Sequence, residues 1–226
     1  MDIRAWMAEG LGTFILVFAG CGAIIVSQAH PGVLSHLGVA MVFGLVVLSA
    51  IYAYGDVSGA HINPAVTVAF WAAGRFPARQ IAPYILAQSI GAVAAASLLS
   101  VLFPAATSLG ETIPQGTIWQ SFLLEVVMSW WLMTVILSVS VGAKEKGIVA
   151  GIVVGGVVAM EAAFGGPVSG ASMNPARSLG PALISGQWQT LWVYLAAPIS
   201  GCLAAVFTGK LVHDWDRRDS STEVDG

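Results

Sequence analysis

In a chain of 226 residues with only 9% charged side chains, chemistry must come from the few polar groups set inside apolar runs. Two of them are asparagines in a repeated octet. Ser58-Gly59-Ala60-His61-Ile62-Asn63-Pro64-Ala65 recurs as Ser169-Gly170-Ala171-Ser172-Met173-Asn174-Pro175-Ala176, offset by 111 and identical at six of eight positions. An Asn amide both donates and accepts hydrogen bonds. Followed by Pro, it also reads as a helix start, with Asn as N-cap and Pro at the first helical position. Arg177 directly follows the second octet. Arg at the centre of a membrane helix costs about 2.5–3.5 kcal/mol on insertion scales, so it marks either an ion or solute path or a structural bond to loop carbonyls. Glu9 and Glu125 sit at matched places early in their runs, whereas Glu161 has no repeat partner. Glu161 could line a solute path, pair with loop donors or lie at a subunit contact. Ser58 and His61 form a close Ser/His pair within the octet, and the second copy has Ser172 where the first has His61. No metal-ligand cluster is visible, so neither an enzyme nor a cofactor is expected.

The elements that must hold these groups follow from composition. With 57% hydrophobic residues, 26 Gly and a mean hydropathy of +0.82, the chain cannot coat itself with a polar shell. That excludes disorder and nucleic-acid binding and points to a lipid bilayer. A spanning helix needs roughly 20 apolar residues, and six such runs occur, at about 4–27, 35–54, 79–102, 118–141, 147–166 and 188–212. Phe18-Ala19-Gly20-Cys21 loosely resembles a lipoprotein cleavage site, but the run continues past it and five more follow. Cys21 and Cys202 lie in apolar runs and imply no disulfide framework. Eight of the nine basic residues flank one set of span ends, and the connections 28–34 and 103–117 carry none. By the positive-inside rule both termini are cytoplasmic. The ninth basic residue is Arg177.

Gly91, Ala94 and Ala95 match Gly201, Ala204 and Ala205 at an offset of 110, so the halves 4–102 and 118–212 share one plan. Three spans per repeat invert the second copy relative to the first. The segment from Pro64 to Gly74 is apolar but covers only about half the bilayer, and the segment after Asn174 has the same design. The spacing therefore predicts two half-helices entering from opposite faces, their N-termini meeting near the midplane. Gly147, Gly151 and Gly155 form a small-residue ladder, as do Gly201, Ala205 and Gly209. The expected fold is an all-α membrane protein, with six transmembrane helices plus two re-entrant half-helices in an inverted repeat. It forms one transmembrane domain over 1–213, followed by a polar tail over 214–226.

These paired motifs within six spans resemble the major intrinsic protein family of aquaporins and aquaglyceroporins, from Ala8-Glu9-Gly10 to about Lys210. The resemblance implies a homotetramer with one pore per subunit, in the inner (plasma) membrane, passing water and small neutral solutes. It implies that the Asn63 and Asn174 amides donate to the solute. Carbonyls of Gly59, Ala60, His61 and Ile62, and of Gly170, Ala171, Ser172 and Met173, then supply acceptors along the wall. Glu9 and Glu125 would support the two loops through backbone N–H groups. His61 would line the vestibule or fix the first loop. Arg177 matches the family's filter arginine, and spacing from the motifs carries the other filter positions to Phe43, Ala162 and Ala171. Water-selective members have His where this chain has Ala162. Glycerol facilitators have Trp at Phe43 and Asp at Ser178. Ser178 and Ala182 look aquaporin-like and Tyr194-Leu195 glycerol-type, a mixture similar to nodulin-like intrinsic proteins and their bacterial relatives. The expected function is a passive channel for water and uncharged solutes such as glycerol, urea, boric acid or arsenous acid. A strictly water-selective pore and a secondary transporter with inverted repeats are the alternatives.

Overall fold

The computed structural model describes residues 2–140 and 144–212; the tail expected over 214–226 lies outside them. Among the described residues eight α-helices occur, in the order α1 (Ile3–Ala29), α2 (His36–Ser58), α3 (Pro64–Ala72), α4 (Ile81–Leu102), α5 (Ile118–Val139), α6 (Lys144–Ser169), α7 (Pro175–Ser185) and α8 (Leu191–Val212). A 3-10 turn over Ala78–Gln80 leads into α4. No strand occurs among the described residues. Six helices are long and apolar enough to cross a membrane, while α3 and α7, with 9 and 11 residues, are not. Side-chain caps set several starts: Asp2 accepts from the Arg4 and Ala5 amides, Ser35 from Gly38 and Thr117 from Gln120. Leu11, Leu45, Leu86, Leu123 and Phe207 point outward, where hydrocarbon is their natural solvent.

The two halves pack alike. Helix α1 lies mainly against α4, α5 against α8, and α2 against α6 across the repeat boundary. A Cβ on Gly91 would collide with the Gly10 carbonyl oxygen, and one on Gly201 with the Val126 carbonyl oxygen. Gly44 and Gly155 make the same bare-backbone approach between α2 and α6, where a Cβ on either would stand 2.5–2.6 Å from the other's oxygen. Lipid tails are as apolar as leucine, so association rests on such close packing. Within the two ladders, Gly151 packs on Tyr52 and Leu48 of α2, and Gly201 on α5. These contacts tie helices within one chain.

Candidate functional site

Each octet forms the last residue of a long helix, a five-residue loop and the first two residues of a half-helix. Asn63 and Asn174 cap α3 and α7 as the spacing predicts, with Oδ1 accepting from Ala65 N at 2.9 Å and Ala176 N at 3.0 Å. Their Nδ2 atoms cross over. Asn63 Nδ2 donates to the Met173 carbonyl and Asn174 Nδ2 to the Ile62 carbonyl, both at 2.8 Å. The two helix N-termini therefore abut, and each amide spends one hydrogen on the opposite loop. The Ile62 and Met173 oxygens, expected as free wall acceptors, thus each hold an Asn donor.

The loops cannot relax into ordinary conformations. Gly59 and Gly170 leave the preceding helices at φ +83° and +87°, but Ala60, Ile62, Ala171 and Met173 also lie at φ +42° to +53°. A non-glycine residue there persists only when its surroundings hold it. Glu9 and Glu125, both fully buried, do much of that holding. Glu9 Oε1 accepts from Ser58 Oγ (2.7 Å) and His61 N (2.8 Å), and Oε2 from Ile62 N (2.6 Å) and Gln88 Nε2 (2.8 Å). Glu125 Oε1 accepts from Ser169 Oγ and Ser172 N, and Oε2 from Met173 N, all at 2.8 Å. Tyr84 Oη donates to the Ser58 carbonyl and Tyr194 Oη to the Ser169 carbonyl. Tyr194 is therefore a buried strut rather than a wall residue. Gln88, Tyr84 and Tyr194 were not marked as loop supports by the motif, although the offset of 110 pairs the two tyrosines.

The side chains after the loops repeat this scheme with different chemistry. Thr67 Oγ1 donates to the Asn63 carbonyl at 3.0 Å, so His61 Nδ1, 3.1 Å away, must be the donor to Thr67. The His61 ring is packed by Phe70, Phe76 and Tyr84. It both fixes the loop and lines a cavity. In the second half Thr112 Oγ1 donates to Ser178 Oγ at 2.7 Å, and Ser178 lies 2.6 Å from Ser172 Oγ, which donates to the Asn174 carbonyl. This hydroxyl chain pins the 103–117 connection to the start of α7.

Arg177 is buried, with 2% of its surface exposed. Its Nη1 donates to the Gly110 carbonyl at 2.7 Å and lies 3.4 Å from Cys21 Sγ. Its Cζ stands 5.0 Å from the centre of the Phe43 ring. Gly110 and Cys21 carried no signal in sequence, since a backbone carbonyl and a thiol in an apolar run look like any other. Beside Gly110, Glu111 accepts from Ser108 Oγ at 2.6 Å and from the Leu109 amide. Burial pushes its carboxyl up, but the bonds from Ser108, Leu109 and Ser185 outweigh this and hold it below the ordinary carboxylate range.

Two cavities enter the bundle from opposite ends. One, of about 140 Å³, reaches from Ile51, Ser140 and Ala150 past both Asn residues, and its wall is largely apolar. The other, of about 300 Å³, lies among His36, Val39, Glu111, Gln115 and Pro167. His36 is exposed, and its Nε2 donates to the Ala163 carbonyl at 2.7 Å. Four residues line both cavities: Phe43, Ala162, Ala171 and Arg177. They are the four that spacing from the motifs singles out. Gly59, Ala60, His61, Ile62, Ser172 and Met173 line the first cavity and Gly170 the second. Glu161 lines neither.

The family model of the major intrinsic proteins matches residues 1–208. The chain is 43% identical over 211 residues to Aquaporin NIP1-1 of Zea mays, covering 93% of this chain and 75% of that protein. It is 40% identical over 221 residues to Nodulin-26 of Glycine max, covering 97% and 82%. The X-ray structure of the aquaglyceroporin from Plasmodium falciparum superposes with a TM-score of 0.85 at 26% identity, covering 94% of this chain and 97% of that one.

Proposed function

Because the chain belongs to the major intrinsic protein family, we propose that it is a passive channel for water and a broadened set of small uncharged solutes. The observation that carries this reading is the meeting of two opposed cavities at Phe43, Ala162, Ala171 and Arg177. At that point two methyl side chains face a phenyl ring and a guanidinium. An imidazole in place of the Ala162 methyl would fill a ring's width of the wall and add a hydrogen-bonding group. Its absence leaves Arg177 open to solutes larger than water, which disfavours strict water selectivity. Arg177 supplies donors for a polar face of the solute and Phe43 an apolar wall for its carbon side.

Ion exclusion follows from the helix starts. The N-termini of α3 and α7 each place roughly half a positive elementary charge at the abutment. A cation there loses hydration and meets repulsion, whereas a neutral solute exchanges one hydrogen bond for another. Each Asn keeps one amide hydrogen beyond the bond to the opposite loop, and that hydrogen serves the passing solute. A coupled transporter would use buried acids, but Glu9 and Glu125 are committed to loop donors. The working unit is a homotetramer in the plasma membrane, with both termini cytoplasmic.

Stopped-flow measurements on proteoliposomes, with water, glycerol, urea and arsenous acid in parallel, test the solute range. Wild-type protein passes water and at least one larger solute, and Ala162→His cuts larger-solute flux about tenfold or more while reducing water flux less. Water flux without any glycerol, urea or arsenous acid flux in the wild type would overturn the reading.

A further inference from the structure

We propose that two adjacent residues of α1 set the aperture of the constriction from behind: Gly20 seats the Phe43 ring and Cys21 seats the Arg177 guanidinium. The inference rests on Phe43, Ala162, Ala171 and Arg177 being the constriction, and adds two positioning residues to it. Gly20 and Cys21 are both buried and line neither cavity. A Cβ on Gly20 would fall into the Phe43 ring, 2.5 Å from Cζ and 2.7 Å from Cδ1. One edge of the ring therefore lies directly on the α1 backbone, an approach that a larger residue at position 20 forbids. Phe43 also borders both cavities. The free space beside the ring is the passage, and a displaced ring moves there.

Cys21 does the same for the guanidinium. Its Sγ accepts from Arg177 Nη1 at 3.4 Å and donates at 3.7 Å to the Gly110 carbonyl, the oxygen to which that Nη1 also donates. Gly110 packs so closely that a Cβ there would stand 2.9 Å from the Cys21 Cβ and 3.1 Å from its Sγ. Thiol, carbonyl and guanidinium form a closed triangle of contacts in which the sulfur backs the guanidinium. The scaffold common to the two halves does not call for these residues. An offset of 116 pairs Glu9 with Glu125, and pairs Gly10 with Val126 as the carbonyl partners of Gly91 and Gly201. The same offset pairs Gly20 and Cys21 with Ile136 and Leu137. Both of those are bulky, and Ile136 lines the first cavity itself. The small pair thus stands in the half where a ring and a guanidinium must fit between helix and passage. A close-packed interior passes a change of one methyl group on to its neighbours. Side-chain size at positions 20 and 21 therefore becomes width of the passage.

The test compares water and glycerol permeability of full-length variants in proteoliposomes. Gly20→Ala should push the ring into the passage and cut glycerol flux about tenfold, the scale of one methylene in a tight pocket, while reducing water flux less. Cys21→Ala should leave room behind the guanidinium and raise glycerol flux about twofold or more. Opposite changes from adjacent residues separate positioning from damage to the helix, which would lower both fluxes in both variants. With Phe43→Ala in place, adding Gly20→Ala should change either flux by less than about twofold, because the methyl then meets no ring. Gly20→Ala fluxes equal to wild type, or a Gly20→Ala effect that persists in full without the Phe43 ring, overturn the proposal. So does Cys21→Ala without a rise in glycerol flux, or in water flux where wild type passes no glycerol. Wild type without glycerol flux counts against the broad solute range alone, since the two variants then still shift water flux in opposite directions. Phe43→Ala that alters neither flux removes the constriction and this proposal with it. If Gly20→Ala does not fold, recovery of folding when Phe43→Ala is added supports the seat, and failure to recover overturns it.

Discussion

Arg177 satisfies two demands with one guanidinium. Its Nη1 ties down the Gly110 carbonyl while its Cζ lies 5.0 Å from the centre of the Phe43 ring, and its Nε has no protein acceptor among the described residues. A lysine could supply the charge but not the planar fork. Arg177→Ala should destabilise the purified channel by about 1.5–3 kcal/mol, the range for a hydrogen bond to a charged group. It should also raise proton leak in pH-jump assays on proteoliposomes. An unchanged midpoint and unchanged leak would show that the guanidinium neither holds the loop nor guards the pore. The position of Arg177 was legible because it is the one basic residue away from the span ends. Its partners were not, because Gly110 and Cys21 meet it only through the tertiary fold. The same limit hid the crossed Asn amides: a motif shows an amide's capacity but not the carbonyl it finds.

At the scale of elements, the 103–117 connection is more than a link between halves. It brings Gly110 to Arg177, Thr112 to Ser178 and Glu111 to the wall of the larger cavity. Glu111 holds this segment through Ser108 and Leu109 only while ionised. A carboxyl depressed in the folded state contributes stability above its unfolded value and loses it as pH falls through the folded value. Water permeability should therefore stay level from neutral pH down through the ordinary carboxylate range and drop only below it. Glu111→Gln should remove that drop, as stopped-flow flux against external pH would show; an identical acid profile in both proteins would dismiss the mechanism. The helices themselves were readable from apolar length, and α3 and α7 from Asn-Pro at their starts. Left-handed conformations at Ala60, Ile62, Ala171 and Met173 were not, since local preference there favours glycine and the buried acids, serines and tyrosines around the loops reverse it.

For the molecule as a whole, charge placement predicts the topology. Arg4, Arg75, Arg79 and Lys210 lie at or near helix ends on the side of the smaller cavity's mouth, so that mouth is expected to open to the cytoplasm and the Glu111 side to face out. Epitopes fused to both termini should be digested in inverted membrane vesicles and protected in right-side-out ones; digestion of either in the latter would reverse the assignment. The crossed amides also impose an order in time. The carbonyl that Asn63 seeks belongs to Met173, and the carbonyl of Ile62 waits for Asn174. During synthesis the first half-helix thus stands with its N-terminal loop incomplete until more than a hundred further residues have been made. Neither half encloses a passage by itself, so a chain interrupted partway through synthesis leaves no leak behind it. The barrier and the conduit come into being together, at the moment the second asparagine arrives.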